Sequence, residues 1–207
     1  MPGKKNRGLV LIVSSPSGAG KTTICKRLVQ DIENLSLSVS VTTRLKRQNE
    51  IDGKDYFFKN DDEFDKMVKQ EKFLEHARVF GYSYGTLKSE INSKITNGIN
   101  VIVDIDWQGT RQIEEHIPND IVKIFILPPS IKELEKRLGT RATESQDSFI
   151  KRMSEAKKEI SHYHEYDFII INEDVQESVN KIKSILNSES LRRYRQIGLS
   201  EFVNDLE

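Results

Sequence analysis

The chain has 207 residues, 32 basic and 32 acidic side chains, a formal net charge of zero and 36% hydrophobic content. That length fits one domain with a substantial core, and the balanced charge gives no bulk attraction to nucleic acid or membrane, so any anion site must come from local clustering. The single cysteine, Cys25, excludes an intrachain disulfide, and no apolar run approaches the roughly 20 residues of a membrane span.

The amino terminus is basic and then apolar, but the run "LVLIV" (9–13) is too short for a secretory signal core of about 7–15 residues. A cytoplasmic chain is therefore expected. The segment "GLVLIVS" (8–14) reads instead as a strand buried on both faces. It leads into "SSPSGAGKT" (14–22), which matches the phosphate-binding pattern G-x-x-x-x-G-K-[ST] except at Ser15, where the first glycine is expected. A helix is predicted over 21–33, with Cys25 as a small core residue. In this strand–loop–helix context Gly18 and Gly20 let the backbone curl around phosphates. Lys21 would bridge the β- and γ-phosphates, and the Thr22 hydroxyl would coordinate Mg²⁺.

Residues 36–86 break the pattern and read as a small α+β insertion, with alternating strands in "LSLSVSVTT" and "KFLEHARVF". A short helix is predicted from Asn60, with Glu63 closing a capping box. Arg44 and Arg47 lie three apart in a polar loop, with Tyr56 further on. Alone, "RLKR" is a solvated turn, yet guanidinium forks and a phenol are also what a second phosphate needs. Glu75 alone is a surface strand residue. Facing a nucleobase, its carboxylate would accept from N1 and N2 of guanine, and Ser40 and Thr86 could donate to O6.

A helix over 87–97 is predicted to end at Gly98, and strands follow over 100–106, 121–127 and 167–172. Asp104 ends a buried strand where Mg²⁺ and its waters are held beside a phosphate loop, and Asp106 would point into the same cleft by two-residue alternation. Ser130 and Glu133 suggest a capping box opening a helix over 130–138. The polar stretch 139–148, flanked by Arg137, Arg141 and Arg152, suits a lid over phosphates. "HYHEY" (162–166) reads as a helix end. The tail 187–207 reads as an amphipathic helix, with Arg192, Arg193 and Arg195 on a solvated face. Strands alternating with helices imply right-handed crossovers and a three-layer α/β core.

The stretches "SPSGAGKT", "SVTTRLKRQNEIDGKDYFF", "FLEHARVFGYSYGT", "DIDWQG" and "KRLGTRATES", in this order, resemble the guanylate kinase family over about residues 8–186. The resemblance implies an α/β P-loop kinase core with a parallel sheet (1–35, 87–138 and 149–207), a GMP-binding insertion (36–86) and a short lid (139–148). It implies phosphorylation of GMP by ATP with Mg²⁺, and dGMP as a further acceptor. Residues Ser15, Pro16, Ser17, Gly18, Ala19, Gly20, Lys21 and Thr22 would hold ATP, with Asn172 near adenine. Arg44, Arg47, Tyr56 and Tyr84 would hold the GMP phosphate; Ser40, Glu75 and Thr86 would read the base. Asp104 and Asp106 match the family's acidic pair near metal and nucleotide, and Arg137, Arg141 and Arg152 its lid arginines. Two departures stand out: Ser15, and Ala142 where a glycine often follows the lid arginine. Two alternatives stay open at this point, a P-loop kinase for another small substrate and a non-enzymatic relative that binds phosphopeptides in the same cleft.

Overall fold

The computed structural model describes residues 7–79, 81–139 and 146–206, excluding the side chains of 146–148. In chain order, β1 (Val10–Ser14) leads through the glycine-rich loop to α1 (Lys21–Asp31) and β2 (Leu35–Leu37). Next come β3 (Val41–Thr42), β4 (Phe57–Phe58), α2 (Asp61–Lys69), β5 (Phe73–Val79), β6 (Tyr82–Leu87) and α3 (Lys88–Thr96). The remainder is β7 (Asn100–Asp104), α4 (Trp107–His116), β8 (Ile121–Leu127), α5 (Ile131–Gly139), α6 (Gln146–Ser161), β9 (Phe168–Ile171), α7 (Val175–Ser190) and α8 (Leu199–Asn204).

Five strands form one parallel sheet in the order β2-β7-β1-β8-β9. Its central strand, β1, has every residue buried, as a continuous apolar run demands when helices cover both faces. Alternation divides that run. Leu9, Leu11 and Val13 pack with Ile24 and Leu28 of α1 and Val179 and Ile182 of α7. Val10 and Ile12 face Ile91 and Ile95 of α3 and Ile113 of α4. The expected three layers are therefore present. Cys25 lies in the first of these cores, and burial pushes its thiol up to about 12, which makes it a packing residue.

A second sheet has the order β4-β3-β6-β5. It has its own core of Val41, Phe64 and Phe73, with Phe57, Met67 and Leu87 packed against it. The box at Asn60 forms in both directions: Glu63 N donates to Asn60 Oδ1 at 2.8 Å, and Asn60 N donates to Glu63 Oε2 at 3.1 Å. The alternating run 35–43 is split between the sheets. Leu35–Leu37 joins β7 as an edge strand, and Val41–Thr42 pairs with β6. Alternation reports burial on one face, not which sheet supplies it.

The tail departs from expectation. It is broken at Gly198, whose φ is +75°, and Leu191, Tyr194 and Ile197 are exposed. Arg195 is 2% exposed rather than solvated, because its backbone carbonyl accepts from Arg7 N at 3.1 Å and draws the turn onto the domain. Among the described residues no helix is long and apolar enough to cross a membrane.

Candidate active site

The loop after β1 wraps one end of a cavity of about 450 Å³, lined by residues 15–18 and 20–23 together with Asp104, Asp106, Arg152 and Glu159. Gly18 and Gly20 have φ of +89° and +99°, values that an L side chain rarely adopts. Space is restricted at both. A Cβ on Gly18 would lie 3.1 Å from Leu134 of α5, and one on Gly20 would lie 2.4 Å from Asn172 Nδ2. Gly20 caps α1 without a side-chain acceptor, so the first-turn amides are left for another partner beside the cavity. Ser15, the departure from the motif, donates its hydroxyl to the Pro16 carbonyl at 3.1 Å.

Lys21 forms an ion pair with Asp104, the last residue of β7. Asp106 also reaches the cavity, though not by strand alternation. The strand has ended, and Asp106 caps α4, accepting from the amides of Gln108 and Gly109 at 3.0 Å each. Thr22 is exposed at the first turn of α1 beside them. Arg152 lines the cavity from α6. Arg137 lies on α5, where its Nε donates to Glu133 Oε1 at 2.9 Å. Arg141, Ala142 and most of the lid stretch 139–148 lie outside the described residues.

The second sheet gathers the residues expected at a second anion. The Arg44 guanidinium donates to both carboxylate oxygens of Glu50, at 3.1 and 2.6 Å, and to the Leu45 carbonyl at 2.8 Å. It lies 5.3 Å from the Tyr56 ring centroid, and the Tyr56 and Tyr84 rings are 6.1 Å apart. Arg47 is exposed, and its backbone amide donates to Glu50 at 2.8 Å. Nothing in the sequence around Glu50 marks it as the partner of Arg44. Arg44 and the Arg47 amide hold its carboxyl below the usual range.

Glu75 and Thr86 face each other across β5 and β6, and both are buried. The Thr86 hydroxyl donates to Glu75 Oε1 at 2.7 Å. Gly109, in the first turn of α4, leaves room for the other oxygen: a Cβ there would meet Glu75 Oε2 at 3.2 Å. Ser40 lies just before β3, with its carbonyl accepting from Phe57 N at 2.9 Å. Burial pushes the Glu75 carboxyl up to about 7, opposed by the Thr86 hydroxyl and reinforced by the charge on Asp106. With the folded value above the unfolded one, the unfolded chain ionises first, and stability falls as pH rises from the ordinary carboxylate range to about 7. Glu75→Gln is expected to relieve a penalty on the order of 3 kcal/mol at pH 8 and much less at pH 5. Thermal melts of both proteins at the two pH values check this; an equal gain at each would reject it.

Two further features have no clear local signal in the sequence. Glu159 lines the cavity from α6, its carboxyl raised by burial and by Asp106; the one signal that could find it is helical spacing, two turns on from Arg152. Asn172, expected near adenine, is 2% exposed. Its Nδ2 donates to the Ala19 carbonyl at 2.7 Å, and its Oδ1 accepts from the Ser178 hydroxyl at 3.1 Å.

A family model described as guanylate kinase matches residues 7–189. A guanylate kinase of Nitrobacter winogradskyi is 47% identical over 205 residues, covering 99% of this chain and 94% of the relative. One from Novosphingobium aromaticivorans is 48% identical over 200 residues, covering 97% and 90%. The crystal structure of guanylate kinase from Anaplasma phagocytophilum superposes with a TM-score of 0.77 at 36% identity, covering 98% of this chain and 96% of that one.

Proposed function

The chain belongs to the guanylate kinase family and is a nucleoside-monophosphate kinase; from that premise we propose that its donor is ATP, its acceptor GMP or dGMP, and its cofactor Mg²⁺. The ATP phosphates lie on residues 15–22. Arg44, Arg47, Tyr56 and Tyr84 hold the acceptor phosphate, and Ser40, Glu75 and Thr86 read guanine. One observation carries the reading: the first turn of α4 joins the two sites. Asp106 lines the phosphate cavity while Gly109, three residues on, abuts the buried carboxylate of Glu75.

Thr22 and Asp104 offer hard oxygen donors beside the same cavity. Among the described residues no group of three or more His, Cys, Asp or Glu side chains could hold a metal alone. This fits Mg²⁺, which keeps waters and takes its remaining ligands from phosphates. When bound, it neutralises charge on the donor phosphates. The chain supplies positioning and counter-charge. The acceptor phosphate, with a second pKa of about 6, is largely dianionic at neutral pH and needs no general base. Lys21 exchanges Asp104 for a phosphate oxygen, and Arg137, Arg141 and Arg152 close on the transferring group from the lid side. Closure excludes water, which would otherwise take the phosphoryl group. A buried lone cysteine suits a reducing compartment, so we place the activity in the cytoplasm.

Coupled detection of ADP release, with ATP–Mg²⁺ and each nucleoside monophosphate in turn, tests the assignment. Turnover confined to GMP and dGMP is expected; equal turnover of AMP would reject Glu75 as the base reader. Ser15→Gly is expected to shift ATP affinity by less than about twofold, as for a surface change that leaves the site intact, because the serine hydroxyl is engaged with Pro16. Isothermal titration checks this, and a tenfold shift would make the Ser15 hydroxyl itself a phosphate contact.

A further inference from the structure

Asn172 follows β9, and its backbone amide donates to the Leu127 carbonyl at 2.8 Å. Its side chain is fixed from two sides, by Ala19 of the loop and by Ser178 in the first turn of α7, which is 1% exposed. In a trans peptide the carbonyl of one residue and the N–H of the next point in opposite directions. Asn172 draws the Ala19 carbonyl into the interior, so the Gly20 N–H turns outward, on the side of the cavity that Gly20 lines. The approach is close enough that a Cβ on Gly20 would stand 2.4 Å from Asn172 Nδ2.

We infer that Asn172 is a positioning residue for the donor nucleotide: it aims the Gly20 N–H at a phosphate by anchoring the Ala19 carbonyl, which as a pure acceptor requires the NH₂ end of the amide, while the Ser178 hydroxyl donates to the other end and holds the side chain in place. The inference rests on the reading that this loop holds the donor phosphates. Aspartate could not replace Asn172, since a carboxylate would set an acceptor against the Ala19 carbonyl. Alanine would leave that carbonyl buried without a donor, and the peptide would rotate to find one.

The test is calorimetric titration of wild-type, Asn172→Ala and Ser178→Ala proteins with ADP and, separately, with GMP. Asn172→Ala is expected to weaken ADP binding by about tenfold, the size of effect that an unsatisfied buried acceptor produces, while GMP binding stays within about twofold. General damage to the fold would weaken both ligands together. A parallel loss, or an ADP change below about twofold, overturns the inference. Should Asn172→Ala fail to fold by circular dichroism, Ser178→Ala, expected to lose about threefold in ADP binding alone, decides on the same contrast between ligands. Wild-type protein that binds GMP but no ADP would overturn the donor-site reading and this inference with it.

Discussion

Replacing Lys21 with alanine is expected to lower kcat by about 10³-fold, in the range lost when a preorganised charge-stabilising group is removed from a transition state, while folding and GMP affinity stay close to wild type. The structural reason is the separation between what Lys21 does and what it supports. It opens α1, and its charged end lies at the cavity, paired with a partly exposed Asp104 rather than packed in the core. An ion pair of that exposure contributes little to stability. Steady-state kinetics with ATP and GMP, together with a thermal melt, measure both halves of the prediction. Turnover within tenfold of wild type would remove Lys21 from the reaction.

Gly20→Val is expected to reduce donor binding by at least about 100-fold, through two causes that act together. A β-branched residue at φ +99° is strained by roughly 1–3 kcal/mol. Its Cβ would also lie 2.4 Å from Asn172 Nδ2, so that either the loop or the asparagine must move. Both movements disturb the same row of amides. Titration with ADP checks the loss, with GMP titration as the control. Retention of donor affinity would mean that the loop conformation is not what holds the phosphates.

The parts of this architecture that were legible in the sequence are those that local chemistry decides. Apolar β-branched runs gave the buried strands β1, β7 and β8, but the equally apolar run at 167–172, which reads as buried on both faces, forms the edge strand β9, where Ile170 is buried while Ile169 and Ile171 are exposed. Gly98, with φ +79° and its amide donating to the Ile95 carbonyl, ends α3 as read. The box at Asn60 forms, and the amide of Glu133 finds the Ser130 hydroxyl at 3.1 Å. What escaped depends on partners distant in the chain. Nothing near Asn172 in sequence reveals that its amide meets Ala19, 153 positions away. Arg44 was legible as an anion-binding side chain, but its engagement by Glu50 requires the loop to fold back over six residues. Asp106 reaches the expected cleft by capping α4 and not by strand alternation, because β7 stops at Asp104. Arg195 looked solvated because a short arginine-rich segment carries no local sign of the surface that covers it.

The first turn of α4 also links the two substrate sites thermodynamically. The charge on Asp106 is one of the forces that keeps a proton on Glu75. Screening that charge at the phosphate cavity must therefore loosen the proton on the carboxyl behind Gly109, and ionising that carboxyl must in turn change the attraction of the cavity for a cation. Such coupling is reciprocal by necessity. A cation held at the phosphate cavity is therefore expected to draw protons from Glu75, and the protons released on adding Mg²⁺ near neutral pH would measure how strongly the two sites are linked.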